Sequence, residues 1–137
     1  MKDPNDIVVC RKCRQLYVAD YNSCIWRVSV DSQSYIKWLP TGSSTDKFHV
    51  DTLSVTSRGL LVTSFDPPHL REYSMTDGQQ LRVVDIPGYM SLLYHGVETT
   101  RGTFVISHVG TSQNKLWAVS ELFSCYNINY IVLILIV

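Results

Sequence analysis

A strand–turn–strand pattern recurs three times in this chain, at a step of 44 and then 43 residues from Val18 to Val62 to Val105. In the first copy, Leu16-Tyr17-Val18-Ala19 and Ile25-Trp26-Arg27-Val28-Ser29-Val30 flank the polar break Asp20-Tyr21-Asn22-Ser23. β-Branched and aromatic runs on both sides of turn formers read as a hairpin. The second copy leads from Leu60-Leu61-Val62-Thr63-Ser64 through residues 65–69 into Leu70-Arg71-Glu72-Tyr73-Ser74. The third leads from Thr103-Phe104-Val105-Ile106-Ser107 through residues 108–114 into Lys115-Leu116-Trp117-Ala118-Val119-Ser120. A repeat of this length built from short strands predicts propeller blades.

The punctuation between the runs agrees with that plan. Ser57-Arg58-Gly59 and Thr100-Arg101-Gly102 each stand just before an apolar strand, where Gly59 and Gly102 are expected to supply a positive φ. Asp77-Gly78 is a strong hairpin pair, and Pro40 and Pro87 close the outer strands that begin near Tyr35 and Leu81. The expected fold is all-β: a partial β-propeller of about three antiparallel blades, at roughly residues 7–40, 48–87 and 90–122. Residues 1–6, with the breaker cluster Pro4-Asn5-Asp6, read as a disordered lead-in. Residues 123–137 form an apolar tail without a repeat partner, which reads as an odd last strand, a truncated membrane segment or, above these, sequence unrelated to the fold; its run Tyr130–Val137 is well below the ~20 residues that span a bilayer. A closed propeller needs at least about four blades, so the chain is expected to be a fragment of a larger ring or to self-associate through its open blade faces.

Charge excludes some partners. Lys and Arg number 12 and Asp and Glu number 12, so no global field favours nucleic acid or an anionic membrane. Cys10-Arg-Lys-Cys13 has the spacing of half a zinc site, but no second Cys or His pair lies near it to complete a tetrahedron. No helix follows the pair to lower a thiol pKa, so these cysteines are read as small, partly buried thiols of a β-rich interior. The N-terminus shows no signal peptide and the chain no Asn-x-Ser/Thr acceptor, which points to a cytoplasmic location or to a fragment that lacks its true N-terminus.

Over residues 16–31 the chain resembles a blade of the NHL-repeat propellers, on Leu16-Tyr17-Val18-Ala19-Asp20, Asn22 in the turn and Ile25-Trp26-Arg27-Val28. It is similar also to the Tyr-Trp-Thr-Asp propellers of lipoprotein-receptor ectodomains. At residues 60–74 and 103–120 the likeness is only in outline, with Ser64 and Ser107 where the strand-end acid would stand. The resemblance implies a six-bladed ring that binds proteins or RNA, or a relative of the calcium-dependent lactonases. Without the family, Asp20 is a carboxylate placed to accept N–H bonds and fix a turn. Calcium would need six or more oxygens, and Ser64 and Ser107 are poor substitutes for acids.

Strand-end loops of a propeller surround one face of the ring, where ligands bind. The residues expected there are Tyr21, Asn22, Asp66, His69, His108 and Gln113, with Asp20, Gly59, Gly78 and Gly102 as structural turn residues. The four histidines form no Ser-His-Asp or Cys-His order. The sequence therefore reads as a non-catalytic module presenting these loops to a protein partner, with no cofactor. RNA binding and a calcium-dependent hydrolase are the alternatives.

Overall fold

The computed structural model describes residues 1–21, 24–40, 49–65, 67–86, 92–109, 114–119 and 125–127; for 40, 109, 114–119 and 125–127 the backbone is described. Among the described residues twelve strands follow in order: β1 (Pro4–Cys10), β2 (Gln15–Asp20), β3 (Cys24–Ser29), β4 (Tyr35–Pro40), β5 (Thr52–Val55), β6 (Leu60–Ser64), β7 (His69–Tyr73), β8 (Gln80–Val83), β9 (Leu92–Glu98), β10 (Phe104–Val109), β11 (Asn114–Val119) and β12 (Cys125–Asn127). They form three four-stranded antiparallel meanders, β1-β2-β3-β4, β5-β6-β7-β8 and β9-β10-β11-β12. Val18, Val62 and Val105 all lie on the second strand of their sheets, opposite Ile7, Leu53 and Val97 on the first. The repeat is therefore one of structure. Among the described residues no helix is long and apolar enough to cross a membrane.

Each sheet packs face to face on the next, which is why alternate residues of a strand are apolar. Tyr17, Ala19, Ile25 and Trp38 of the first sheet meet Leu53, Leu60, Val62 and Tyr73 of the second in one buried cluster. Tyr17 and Trp38 contribute an edge-on ring pair with centroids 4.9 Å apart, a geometry worth about 0.5–1.5 kcal/mol beyond its buried area. Leu61 and Leu70, on the opposite face of the second sheet, meet Leu93, Phe104 and Ile106 of the third. The middle sheet is thus covered on both sides, and β6 is buried along its whole length.

The first strands of successive sheets are joined by side chains reaching backbone groups. Asn5 Nδ2 donates to the Val50 and Asp51 carbonyls at 3.1 and 2.9 Å, and the Leu53 N–H donates to Asp6 Oδ2 at 2.7 Å. The Thr52 and Ser54 hydroxyls donate to the carbonyls of Tyr94 (2.9 Å) and Gly96 (2.5 Å). This corrects the expected lead-in: β1 starts at Pro4, because Asn5 and Asp6 spend their polar groups on the neighbouring sheet and Pro4 needs no donor at a strand's first residue.

Two turn glycines behave as expected, with φ of +75° at Gly78 and +77° at Gly102. Gly59 does not take a positive φ. A Cβ there would stand 2.1 Å from the Tyr73 carbonyl oxygen, so close approach of backbone, not left-handed freedom, is what requires glycine.

Burial raises the pKa of Tyr17 and of Tyr73, with Arg27 and Arg71 respectively working against it. An unfolded tyrosine ionises near pH 10, so above that value the unfolded chain sheds protons that the folded chain still holds. Stability from these residues is complete below about pH 10 and falls as pH rises through the raised values. Urea midpoints should accordingly drop between pH 9 and pH 11, and Tyr17→Phe should flatten that drop; an unchanged slope in the variant would contradict the assignment.

Candidate functional site

Because the strands alternate in direction, the β2–β3, β6–β7 and β10–β11 connections all lie at one end of the stack. Six residues were expected to line that end. Tyr21 does so: it is half exposed, and its ring stacks on His49 with centroids 5.5 Å apart. His69 belongs to β7 as its first residue, opposite Ser64, and so sits on a strand and not in a loop. His108 is a correction of the same kind. It lies inside β10 and is buried, because a register shift between Ser107 and His108 lets the strand continue and turns the imidazole away from solvent. Asn22, Asp66 and Gln113 lie outside the described residues.

Three aromatic residues that the sequence reading passed over also stand at this end. His49 precedes β5 and faces Tyr21, at the seam between the first two sheets. Phe65 follows β6 and meets Tyr94 of β9 across the next seam, with ring centroids 5.6 Å apart. Tyr94 remains half exposed. Their signal in the sequence was position alone, an aromatic one to three residues from a strand end.

Three carboxylates near this end, Asp20, Asp51 and Asp6, accept N–H donors. Asp20 is buried and accepts from the backbone N–H groups of Lys2 (2.9 Å) and Asp3 (3.2 Å) and from Trp26 Nε1 (3.1 Å). Asp20 was expected to accept N–H bonds from its own turn; these bonds tie it to the first residues of the chain and to Trp26 of β3. Asp51 Oδ2 accepts the Phe65 N–H at 2.5 Å, and Asp6 accepts those of Ile7 (2.8 Å) and Leu53 (2.7 Å). Among the described residues no group of three or more His, Cys, Asp or Glu side chains is placed to hold a metal ion.

The opposite end carries a cleft of about 740 Å³ between the β1–β2 turn and the β5–β6 turn. Arg11, Lys12 and Arg58 stand on its rim, and Met75 and Thr76 of the β7–β8 turn line it from beside. Cys10 and Cys13 also border the cleft and are joined by a disulfide bond, which replaces the expected pair of free thiols. The ladder stays in register up to Cys10–Gln15, and the Cα atoms of the bonded pair are 5.5 Å apart.

No family model matches this chain, and no curated protein matches it. Among solved structures it is similar to selenomethionine-substituted virginiamycin B lyase from Staphylococcus aureus, with a TM-score of 0.67 and 14% sequence identity over 93% of this chain. The chain spans 42% of that protein's length, less than half. At this identity the likeness speaks for the fold: an all-β chain whose three sheets form part of a β-propeller.

Proposed function

We propose that the chain is a protein-interaction module of NHL-like propeller type, which engages its partner through the end bearing Tyr21, His49, Phe65 and Tyr94. The observation that carries this reading is how the polar groups of that end are used. Among the described residues of that end, Asp20, Asp51 and Asp6 accept N–H donors of the fold itself, and Tyr21 and Tyr94 offer half-exposed aromatic surface. Half-exposed aromatics in a seam between rigid sheets are the residues from which binding hot spots are built. The neutral net charge argues in the same direction, since RNA binding draws on several unpaired cations.

A calcium-dependent hydrolase would need six or more oxygens, drawn in part from carboxylates that already accept N–H donors of the fold. The lyase activity named for the structural neighbour stays with that protein at 14% identity.

Two measurements test the proposal. Millimolar calcium should leave the melting temperature unchanged, whereas a clear rise would favour the hydrolase. Peptides selected from a displayed library on the full chain should lose about tenfold or more in affinity for Tyr21→Ala or Tyr94→Ala, and bind Lys12→Glu, at the far end, as before. Selected peptides indifferent to both aromatic substitutions would overturn it.

A further inference from the structure

The disulfide between Cys10 and Cys13 has little to do as a structural cross-link. It spans a single four-residue turn, Arg11–Arg14, whose flanking strands are already paired residue by residue from Cys10–Gln15 to Ile7–Val18. The loop-closure entropy that a cross-link removes from the unfolded chain shrinks with the loop it closes, and here only two residues stand between the bonded cysteines. The bond joins no second element of the fold.

Its surroundings suit a reactive bond instead. The two sulfurs are unequal: Cys10 is buried at 6% exposure, whereas Cys13 is exposed. A nucleophile arriving from solvent therefore reaches Cys13 first. The Cys13 backbone N–H points at Cys10 Sγ from 3.2 Å, so a thiolate released on Cys10 has a donor in place; hydrogen bonding to the charged form favours it. The bond also borders the cleft described above, with Arg11, Lys12 and Arg58 on the rim, and Cys13 Sγ stands 4.0 Å from Met75 Sδ at its wall. Cys24 is buried at the other end of the first sheet, and burial, then Asp20, raises its thiol pKa. It does not compete.

We propose that Cys10–Cys13 is a thiol–disulfide exchange site, and that the basic cleft beside it seats a small thiol bearing carboxylates. The thiolate of that molecule attacks Cys13 Sγ, the Cys10–Cys13 bond breaks, and Cys10 leaves as a thiolate facing the Cys13 N–H. A second thiolate of the same kind then attacks the mixed disulfide at the small molecule's sulfur. The small-molecule disulfide departs, and Cys13 and Cys10 take up two protons from water, so the protein pair is reduced by two electrons as two thiols are oxidised. Run backwards, the same steps let a small-molecule disulfide oxidise the protein pair.

The test uses the full chain with glutathione, reduced or oxidised, as probe and intact-protein mass spectrometry after rapid alkylation as readout. Oxidised glutathione should form a mixed disulfide on Cys10→Ser at least about tenfold faster than on Cys13→Ser, because only the former leaves the exposed sulfur. In the unsubstituted chain, reduced glutathione should open the bond while the far-UV circular dichroism stays unchanged. Arg11→Glu with Lys12→Glu should slow the reaction with glutathione severalfold and leave or quicken that with cysteamine, a cationic thiol. Equal reactivity of the two serine variants would overturn the proposal. So would unfolding when the bond opens, or a charge reversal that alters both thiols alike.

Discussion

Glu72→Ala should destabilise the chain by about 3–5 kcal/mol, the cost typical of removing one partner from a buried ion pair. The Glu72 side chain has no solvent exposure. Its Oε2 accepts from Arg82 Nε at 2.7 Å, and the Thr56 hydroxyl donates to Oε1. Arg58, at 3.9 Å and half exposed, adds little by comparison. Arg82 carries the consequence further, because its guanidinium lies over the Phe104 ring at 4.6 Å and stands 3.8 Å from Glu98 of the third sheet. Glu98 in turn accepts the Ser57 N–H at 2.6 Å. Losing Glu72 therefore frees Arg82 in a place where only 17% of its side chain reaches water, and loosens the seam between the second and third sheets. Urea unfolding of Glu72→Ala measures the loss directly. Glu72→Leu combined with Arg82→Met should recover only part of it, since apolar replacement of the pair removes its stranded charge but also takes Arg82 away from the buried Glu98. A single substitution costing less than about 1 kcal/mol would mean that the pair is no keystone of the seam.

None of that network can be read from the sequence, and the reason separates what was legible from what was not. Strand runs such as Leu60–Ser64 and turns such as Asp77-Gly78 announce themselves because β-propensity and turn chemistry are local. The 43–44-residue repeat then orders them into sheets. Contacts between sheets are not local. Asn5 and Asp6 look like breakers until the backbone of residues 50–53 is brought beside them. Gly59 looks like any hairpin glycine until Tyr73 is known to press against it. Strand ends were also the weak point for the candidate site. His108 was placed one residue past a strand that in fact runs to Val109, because a bulge leaves no mark in composition. The aromatic seam residues His49, Phe65 and Tyr94 gain their meaning only in pairs, each pair drawn from different strands or connections. The Cys10–Cys13 spacing was visible, but whether two such thiols meet depends on the turn between them.

The full chain should self-associate in solution, with an apparent mass well above the 15.6 kDa of one copy. The cause is the face that the first sheet turns away from the second. Ile7 and Val9 of β1 and Tyr35 of β4 are 57%, 55% and 66% exposed on it. Behind them the register runs two apolar rows across the sheet, Ile7–Val18–Trp26 and Val9–Leu16–Val28. Repeat folds stay soluble when their terminal repeats carry a polar outer face; this one carries a surface of the kind that the middle sheet buries on both sides. A contiguous apolar patch of a few hundred Å² is unusual on a stable monomer. Covering it with a second copy is the means available to a purified chain. Light scattering coupled to size exclusion should show a dimer or larger species that dissociates on dilution. Ile7→Glu with Val9→Lys should return it to a monomer without lowering the melting temperature, because neither side chain takes part in the core beneath the second sheet. Leu53→Glu, in that core, should instead unfold the chain. A parent chain that stays monomeric at high micromolar concentration would show that this face tolerates water, and would remove the physical reason for expecting a further sheet against it.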